Sequence, residues 1–331
     1  MGNSDIGKLS VVICAYTTDR WADLIRSVDA AERELTDDDE LIVVIDHNDE
    51  LFDLARREFA SSLKPLIWVV ANDEKRGLSG ARNCGTRLAS GPIVGFVDDD
   101  AAVEPGWRRR LSGQFTDSDV AAVGGYAEPV WPGDRPRWFP RECDWTVGCS
   151  YAGLPTAPAP VRNLMGCNMA FRRRTLLEVG GFDTDLGRVG TLPVGCEETE
   201  LCIRIARHDP AARIIFDPDV RVRHHVSRNR THVRYVLRRS FGEGVSKRQI
   251  SGLVGAADAT SSERSYLART VPAAIMRYFC DGVTVERRRT DPGGLGRCTV
   301  LAGTVVAAGL GYLFAMMTEA RSTLRELSPQ T

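Results

Sequence analysis

Several things are missing from this 331-residue chain, and each absence excludes a class. No two of its nine cysteines form a CxxC pair. An odd, scattered set argues against a disulfide framework or a structural zinc site and fits a reducing cytosol. No excess of one charge exists either. The formal net charge is -1, so the chain as a whole is not built to coat nucleic acid. Met1 to Ala15 has neither a basic start nor a long apolar stretch, so no signal peptide is expected. The first apolar run is followed by Ala15-Tyr16-Thr17-Thr18-Asp19, with no glycine to cradle a phosphate directly.

What is present is a sizeable apolar content, 43%, arranged in short β-rich runs. Leu9 to Ala15, Leu41 to Ile45, Leu66 to Val70 and Ile93 to Asp98 read as strands, with helical patterns between them. Asp19 is positioned to cap the first helix, whose apolar face is Trp21, Leu24, Ile25, Val28 and Leu35. This alternation predicts a mostly parallel α/β sheet of Rossmann-like type, covered by helices on both faces. The strand ends carry Asp46, Asn72 with Asp73, and Asp98 with Asp99 and Asp100. Parallel strands bring such ends to one edge of the sheet, where ligands of open α/β folds bind. Asp98 and Asp100 are two residues apart, so in an extended segment they face the same way and offer hard oxygen ligands to Mg²⁺ or Mn²⁺. An acidic turn is the plain alternative.

Beyond Gly125 the pattern weakens. Tyr126 to Pro160 has no period but contains Trp131, Trp138, Phe139, Trp145 and Tyr151, rings that suit a sugar or lipid face or an ordinary core. Arg162 to Phe171 reads as a turn and strand, and Arg174 to Val179 as a short helix ended by Gly180-Gly181. A glycine-rich loop from Phe182 to Gly195 leads to a helix whose first turn holds Glu197 and Glu198. A helix N-terminus stabilises carboxylates, so these are either catalytic or a common acidic first turn. Ile214 to Phe216 and Val220 to Val226 are strand-like, with Asp217-Pro218-Asp219 turning the chain between them, and the second carries the paired His224 and His225.

The last third differs again. Tyr235 to Lys247 is a basic helix, and Pro272 breaks an amphipathic stretch from Tyr266 to Phe279. Cys298 to Thr318 contains no charged residue and is long enough to cross a bilayer. Ala307 and Gly311 have the small-xxx-small spacing of closely packed membrane helices, and Arg287-Arg288-Arg289 could meet anionic headgroups. Three parts are expected: 1–125 and 126–250 as two halves of one domain, and 251–331 as a helical extension at the membrane.

The order of Ser10 to Tyr16, Asp46, Ala81-Arg82-Asn83, Phe96-Val97-Asp98-Asp99-Asp100, Gly181-Phe182-Asp183 and Glu197 to Arg204 resembles the family 2 glycosyltransferases of the GT-A fold. The resemblance covers about Leu9 to Lys247. It implies an inverting transfer of a sugar from a nucleotide donor, UDP by default, to a glycan or lipid-linked hydroxyl. The scattered cysteines and the apolar carboxy-terminal segment add an expected place in the cytoplasm at the inner face of the cell membrane, with a homo-oligomer left open. The resemblance also implies a nucleotide-sugar role for 1–125 and an acceptor-binding and catalytic role for 126–250. By this similarity Ala15, Tyr16, Asp46, Asn72, Arg82, Asp98 and Asp99 serve the donor. Asp98, Asp100 and His224 hold Mg²⁺ or Mn²⁺, with His225 as fallback. Glu198 is the base, or Glu197 in its place, since the usual Glu-Asp pair is here Glu-Glu. The competing readings are a sugar-1-phosphate nucleotidyltransferase, which wants a glycine-rich loop after the first strand, and an inactive membrane-tethered carbohydrate-binding scaffold.

Overall fold

The computed structural model describes residues 7–59, 66–186, 195–255, 261–284 and 293–327. The first half alternates as its sequence pattern predicts. Strands β1 (Leu9–Ala15), β2 (Glu40–Ile45), β3 (Leu66–Ala71) and β4 (Ile93–Asp98) are joined by helices α1 (Trp21–Glu34), α2 (Asp49–Phe59) and α3 (Leu78–Leu88). They pair in parallel as β3-β2-β1-β4. β1 and β2 are apolar along nearly their whole length because both faces are covered. Leu9, Val11 and Ile13 turn to a core under α1 and α2. Val12 turns to the other face, under α3. Gly85 of α3 sits so close to Val12 that a Cβ there would lie 2.5 Å from the Val12 Cγ1.

β5 (Ala101–Val103) follows β4 at once, then α4 (Trp107–Gln114) and β6 (Val120–Val130). A 3₁₀ turn at Arg141–Val147 and the short β7 (Ala159–Pro160) precede β8 (Asn168–Arg172), α5 (Arg173–Glu178), α6 (Glu197–His208) and β9 (Arg213–His225). The sheet runs β3-β2-β1-β4-β8-β6-β9-β5, with β7 on β9. β8 enters antiparallel to both β4 and β6, so the second half is mixed rather than parallel. Asp217-Pro218-Asp219 was expected to turn the chain. Instead β9 runs through it beside β6, and the irregularity becomes a register shift between Gly125 and Tyr126. Gly125 is needed there, since a Cβ would lie 1.8 Å from the Val220 carbonyl oxygen.

The aromatic stretch divides. Tyr126 to Val130 belongs to β6, while Phe139 is buried in a third core with Trp131 and Trp138 packed on it. That core is closed by α7 (Val233–Val254), α9 (Val271–Val283) and α10 (Gly294–Leu327), with the short α8 (Ser261–Ser265) between α7 and α9. Pro272 does not break its stretch. It lies in the first turn of α9, where a missing N–H is tolerated, and the turn just before it is π-helical. Residue 250, expected as a boundary, lies within α7. The small residues of α10 approach this chain's own α7: a Cβ on Gly244 would lie 1.9 Å from the Ala308 carbonyl oxygen, and one on Gly311 2.0 Å from that of Phe241. Arg287-Arg288-Arg289 and most of the glycine-rich loop, 187–194, lie outside the described residues.

Candidate active site

The carboxyl ends of β1, β2 and β4 open on one large cleft of about 1380 Å³. Its nucleotide-side wall includes Ala15, Tyr16, Asp46, His47, Arg76 and Gly77. Tyr16 is half exposed. Asp46 is held on both oxygens: Oδ1 accepts from Asn72 Nδ2 at 2.7 Å and from His47 Nδ1 at 2.9 Å, and Oδ2 from the Gly77 amide at 2.9 Å. Asn72, expected to touch the donor, is buried behind this wall, and its amide is used to orient Asp46. The first helical turn is capped by Thr17, whose hydroxyl accepts from the Asp19 amide, rather than by Asp19 itself.

At the end of β4 the three aspartates do not continue as a strand. Asp98 closes β4, and Asp99-Asp100 form the turn into β5, pinned by the Ser27 hydroxyl to the carbonyls of Asp98 and Ala101. β5 pairs with β9, and the His225 amide donates to the Asp100 carbonyl at 2.8 Å. That register delivers His224 to the acids. Asp98, Asp100 and His224 offer ligand atoms that all lie within 4.8 Å of one another. Two carboxylates and an imidazole suit Mn²⁺ or Mg²⁺. His225 faces away from this group and is half-buried.

The acids are held in different states. Asp100 is buried, yet it lies 3.1 Å from His224 Nε2, 3.2 Å from Arg20 and 3.5 Å from Arg230. Burial alone would raise its pKa, but these cations outweigh it and hold the carboxyl well below its ordinary value. Burial and the charge of Asp100 push Asp99 up to about 7, and its partner is Arg20 at 2.9 Å. Arg20 and Arg230 escaped the sequence reading, since nothing in their local pattern marks them. Asp98 keeps about a third of its side chain exposed to the cleft.

Arg82 is fully buried under the cleft and joins its two chemical parts. Its guanidinium lies 3.0 Å from Glu197 Oε1, 3.4 Å from Asp98 Oδ1 and 3.1 Å from the Gly166 carbonyl, over the Phe182 ring. One planar group therefore spans from the aspartate turn to the start of α6. The loop enters that helix through Cys196, whose φ of 83° is left-handed, so the turn is abrupt and both glutamates line the cleft. Glu197 takes the Arg82 ion pair. Glu198 does not, and burial, with repulsion from Glu197, raises its pKa to about 8. Glu200 instead pairs with Arg204 along the helix.

The far wall of the cleft comes from elements that the sequence only partly marks. Trp145 and Tyr151 line it with Tyr266, as do Arg162 and the α7 residues Arg239, Glu243 and Lys247. Val305, Ala308 and Tyr312 of α10 complete it. The spacing of 239, 243 and 247 puts one charged row on one helix face, a signal that was readable.

Residues 10–180, more than half of the chain, match the family model described as Glycosyl transferase family 2. The chain belongs to this family of glycosyltransferases. The nucleotidyltransferase alternative falls with that finding. This glycosyltransferase is 33% identical over 315 residues to the glucosyl-dolichyl phosphate glucuronosyltransferase of Haloferax volcanii, covering 94% of this chain and 97% of that relative. It is 26% identical to the succinoglycan biosynthesis protein ExoM of Rhizobium meliloti, over 71% of this chain and 72% of the other. Among solved structures, the mannosyltransferase PcManGT from Pyrobaculum calidifontis, in complex with GDP-Man and Mn²⁺, shares the fold at a TM-score of 0.58 and 18% identity, over 93% of this chain and 87% of that one. The GT-A architecture of this glycosyltransferase is thus shared at low identity, and its α/β sheet is the expected one with a mixed second half.

Proposed function

We propose that the enzyme moves one sugar, with inversion at the anomeric carbon, from a nucleoside diphosphate donor to a hydroxyl of a lipid-linked acceptor. The observation that carries this reading is the bridge made by Arg82 between Asp98 and Glu197, the residue beside Glu198 at the start of α6. It supports reading a cation site for the diphosphate and a carboxylate base on the same cleft.

Asp98, Asp100 and His224 would hold Mn²⁺ or Mg²⁺, which when bound offsets the charge that grows on the departing diphosphate. Tyr16 and the Asp46 carboxylate, which Asn72 and Gly77 hold, are read as meeting the base and ribose, with a UDP-sugar as the first donor to test. Glu198 is the base. As the bond from the anomeric carbon to the phosphate oxygen breaks, the acceptor oxygen bonds that carbon from the opposite face and its proton passes to the Glu198 carboxylate. Arg82 pairs with Glu197 beside it, at 3.0 Å. Burial, and then the negative charge of Glu197, make Glu198 more basic than a free glutamate, as abstraction from a hydroxyl needs.

Support for a lipid-linked acceptor is that the Haloferax relative is a glucosyl-dolichyl phosphate glucuronosyltransferase, together with the apolar surface of this chain. Met276, Phe279 and Val283 of α9 and Leu310, Leu313, Phe314 and Met317 of α10 are exposed. Among the described residues, Gly294–Thr318 is the one helical stretch long and apolar enough to cross a membrane, and 28% of its most apolar window is buried. Because α10 lies along α7 through backbone contact, we read it as resting on the inner membrane face beside the cleft mouth.

The test is a panel of UDP-, GDP- and dTDP-sugars with Mn²⁺ or Mg²⁺, read by thermal shift and by release of nucleoside diphosphate. Metal-dependent stabilisation and release with one donor, lost in Glu198→Gln only for release, is the expected result. Absence of any metal-dependent nucleotide binding would end the reading.

A further inference from the structure

Behind the aspartate turn lies a thiol that the transfer chemistry does not use. Cys149 is fully buried, and its Sγ lies 3.6 Å from Nδ1 of His224, which is itself buried. The other ring nitrogen, Nε2, lies 3.1 Å from Asp100 Oδ1. The imidazole therefore has two sides: the cleft side meets the acids and the inner side meets sulfur.

The backbone confines both partners. The 3₁₀ turn Arg141–Val147 ends at Gly148, whose φ of 88° is left-handed, and the Cys149 amide donates back to the Asp144 carbonyl at 3.1 Å. Ser150 then ties the chain to β6. Its amide donates to the Ala127 carbonyl and its hydroxyl accepts from the Ala127 amide, each at 2.9 Å. The ring has as little room. A Cβ on Gly148 would lie 3.2 Å from both Cε1 and Nε2 of His224, and the pairing of His224 with Ala101 sets its place along β9.

A buried cysteine commonly serves as a small apolar side chain, and Cys149 does pack with Phe139, Val226 and Val236 in the third core. Its sulfur, however, is turned to a ring nitrogen. A histidine that holds a metal through one nitrogen carries its proton on the other, and that N–H needs an acceptor, usually a carboxylate, a carbonyl or water. Among the described residues the hydrogen-bond partner of Nδ1 is Cys149 Sγ, and burial of both residues keeps bulk solvent from replacing it. A thiol both donates and accepts weakly, so it stays a partner whichever ring nitrogen carries the proton; a carbonyl could only accept. We propose that Cys149 is a positioning residue for the metal site: by accepting the Nδ1 proton of His224 it leaves Nε2 bare and turned toward Asp98 and Asp100. This inference rests on the reading of those three residues as the Mn²⁺ site and deepens it.

The experiment titrates the full chain with Mn²⁺, with and without UDP. Calorimetry reads affinity, and pulsed electron paramagnetic resonance reads the imidazole nitrogen coupling on bound Mn²⁺, with His224→Gln marking the spectrum that lacks this ligand. Cys149→Val keeps apolar bulk and removes the partner. Cys149→Ser keeps a group that donates and accepts but fills an apolar core poorly. Cys149→Val should bind Mn²⁺ roughly 10–100-fold more weakly than wild type and lose the coupling. Cys149→Ser should bind more tightly than Cys149→Val and keep it. The reverse order, with Cys149→Val like wild type and Cys149→Ser impaired, makes Cys149 a packing residue and overturns the proposal. If both affinities fall together, the coupling decides: kept in Cys149→Ser and lost in Cys149→Val it supports the proposal, and changed in both or in neither it overturns it. For a variant that no longer melts cooperatively, Cys149→Ala takes its place, where wild-type affinity and coupling overturn the proposal and their loss supports it. The underlying reading fails in a different way. Wild type that binds no Mn²⁺ would refute the metal site, and bound Mn²⁺ without nitrogen coupling would remove His224 from it; either result ends the role of Cys149 as well.

Discussion

The two ends of the cleft are built by opposite means. The nucleotide end is made from strand ends and the turns directly behind them, so its polar groups are fixed by the backbone. Asp46 is tied by three hydrogen bonds, and the aspartate turn is pinned by Ser27 and by the pairing of β5 with β9. The far end is made by helices from distant parts of the chain, whose charges fix one another through Glu243 and Glu263 and whose packing depends on glycine contacts between α7 and α10. A site that every donor must enter is set by the sheet. On the proposed reading, the end that accommodates the acceptor is set by side chains on helices, which change without disturbing the sheet.

Four substitutions can break or sharpen that contrast. The largest effect is expected from Asp98→Ala. It should lower Mn²⁺-dependent nucleotide affinity by about a thousandfold, or ~4 kcal/mol, with thermal stability little changed, since Asp98 is partly exposed. Calorimetric titration reads it. Asp100→Ala is the poorer test. It would leave His224, Arg20 and Arg230 facing one another in a buried site, and breaking such an ion group costs about 3–5 kcal/mol of stability. Next, Glu198→Gln should reduce transfer by roughly 10²–10⁴-fold with nucleotide affinity intact. Single-turnover product formation decides it, and full activity there with a dead Glu197→Gln would move the base to Glu197.

Gly244→Ala should separate the two ends. A Cβ there meets the Ala308 carbonyl oxygen, so α10 must shift, at about 1–3 kcal/mol in stability. Acceptor-dependent turnover should fall while Mn²⁺–nucleotide binding holds, and equal losses in both would show that the ends are one unit. The smallest effect is a shift of pH profile. Glu198 must lose its proton to act as base. With its pKa near 8, kcat/KM should rise with pH through that region and level off above it. Removing the Glu197 charge by Glu197→Gln takes away a repulsion and releases Arg82, and both lower the Glu198 pKa. The rising limb should then move to lower pH; an unmoved limb would detach it from Glu198.

The nucleotide end was the legible one. Apolar runs, their polar ends and the order of short motifs follow from strand geometry, which repeats every two residues and needs no distant information. Asp98, Asp100 and His224 were all named from sequence and lie together, although the reason differs. A turn and the register of β5 on β9 unite them, not a shared side of an extended strand. Asn72 was misplaced by one layer, because a polar residue at a strand end can face the ligand or brace the neighbour that does. Arg20 and Arg230 were invisible, since their role depends on charges far off in the chain. The end of the cleft lined by Val305, Ala308 and Tyr312 could not be read either. An uncharged helix looks the same whether its small residues meet a lipid, a second copy or, as here, the backbone of α7.

The seating of α10 also orders events in time. Ribosomes release the amino-terminal part first, and domains fold in that order. The aspartate turn and its histidine are complete once β9 has emerged, while the wall supplied by Val305, Ala308 and Tyr312 arrives only with the final helix. A nascent chain would therefore bring together Asp98, Asp100 and His224 before the wall opposite them exists, and the cleft gains its full lining only once α10 has docked on α7.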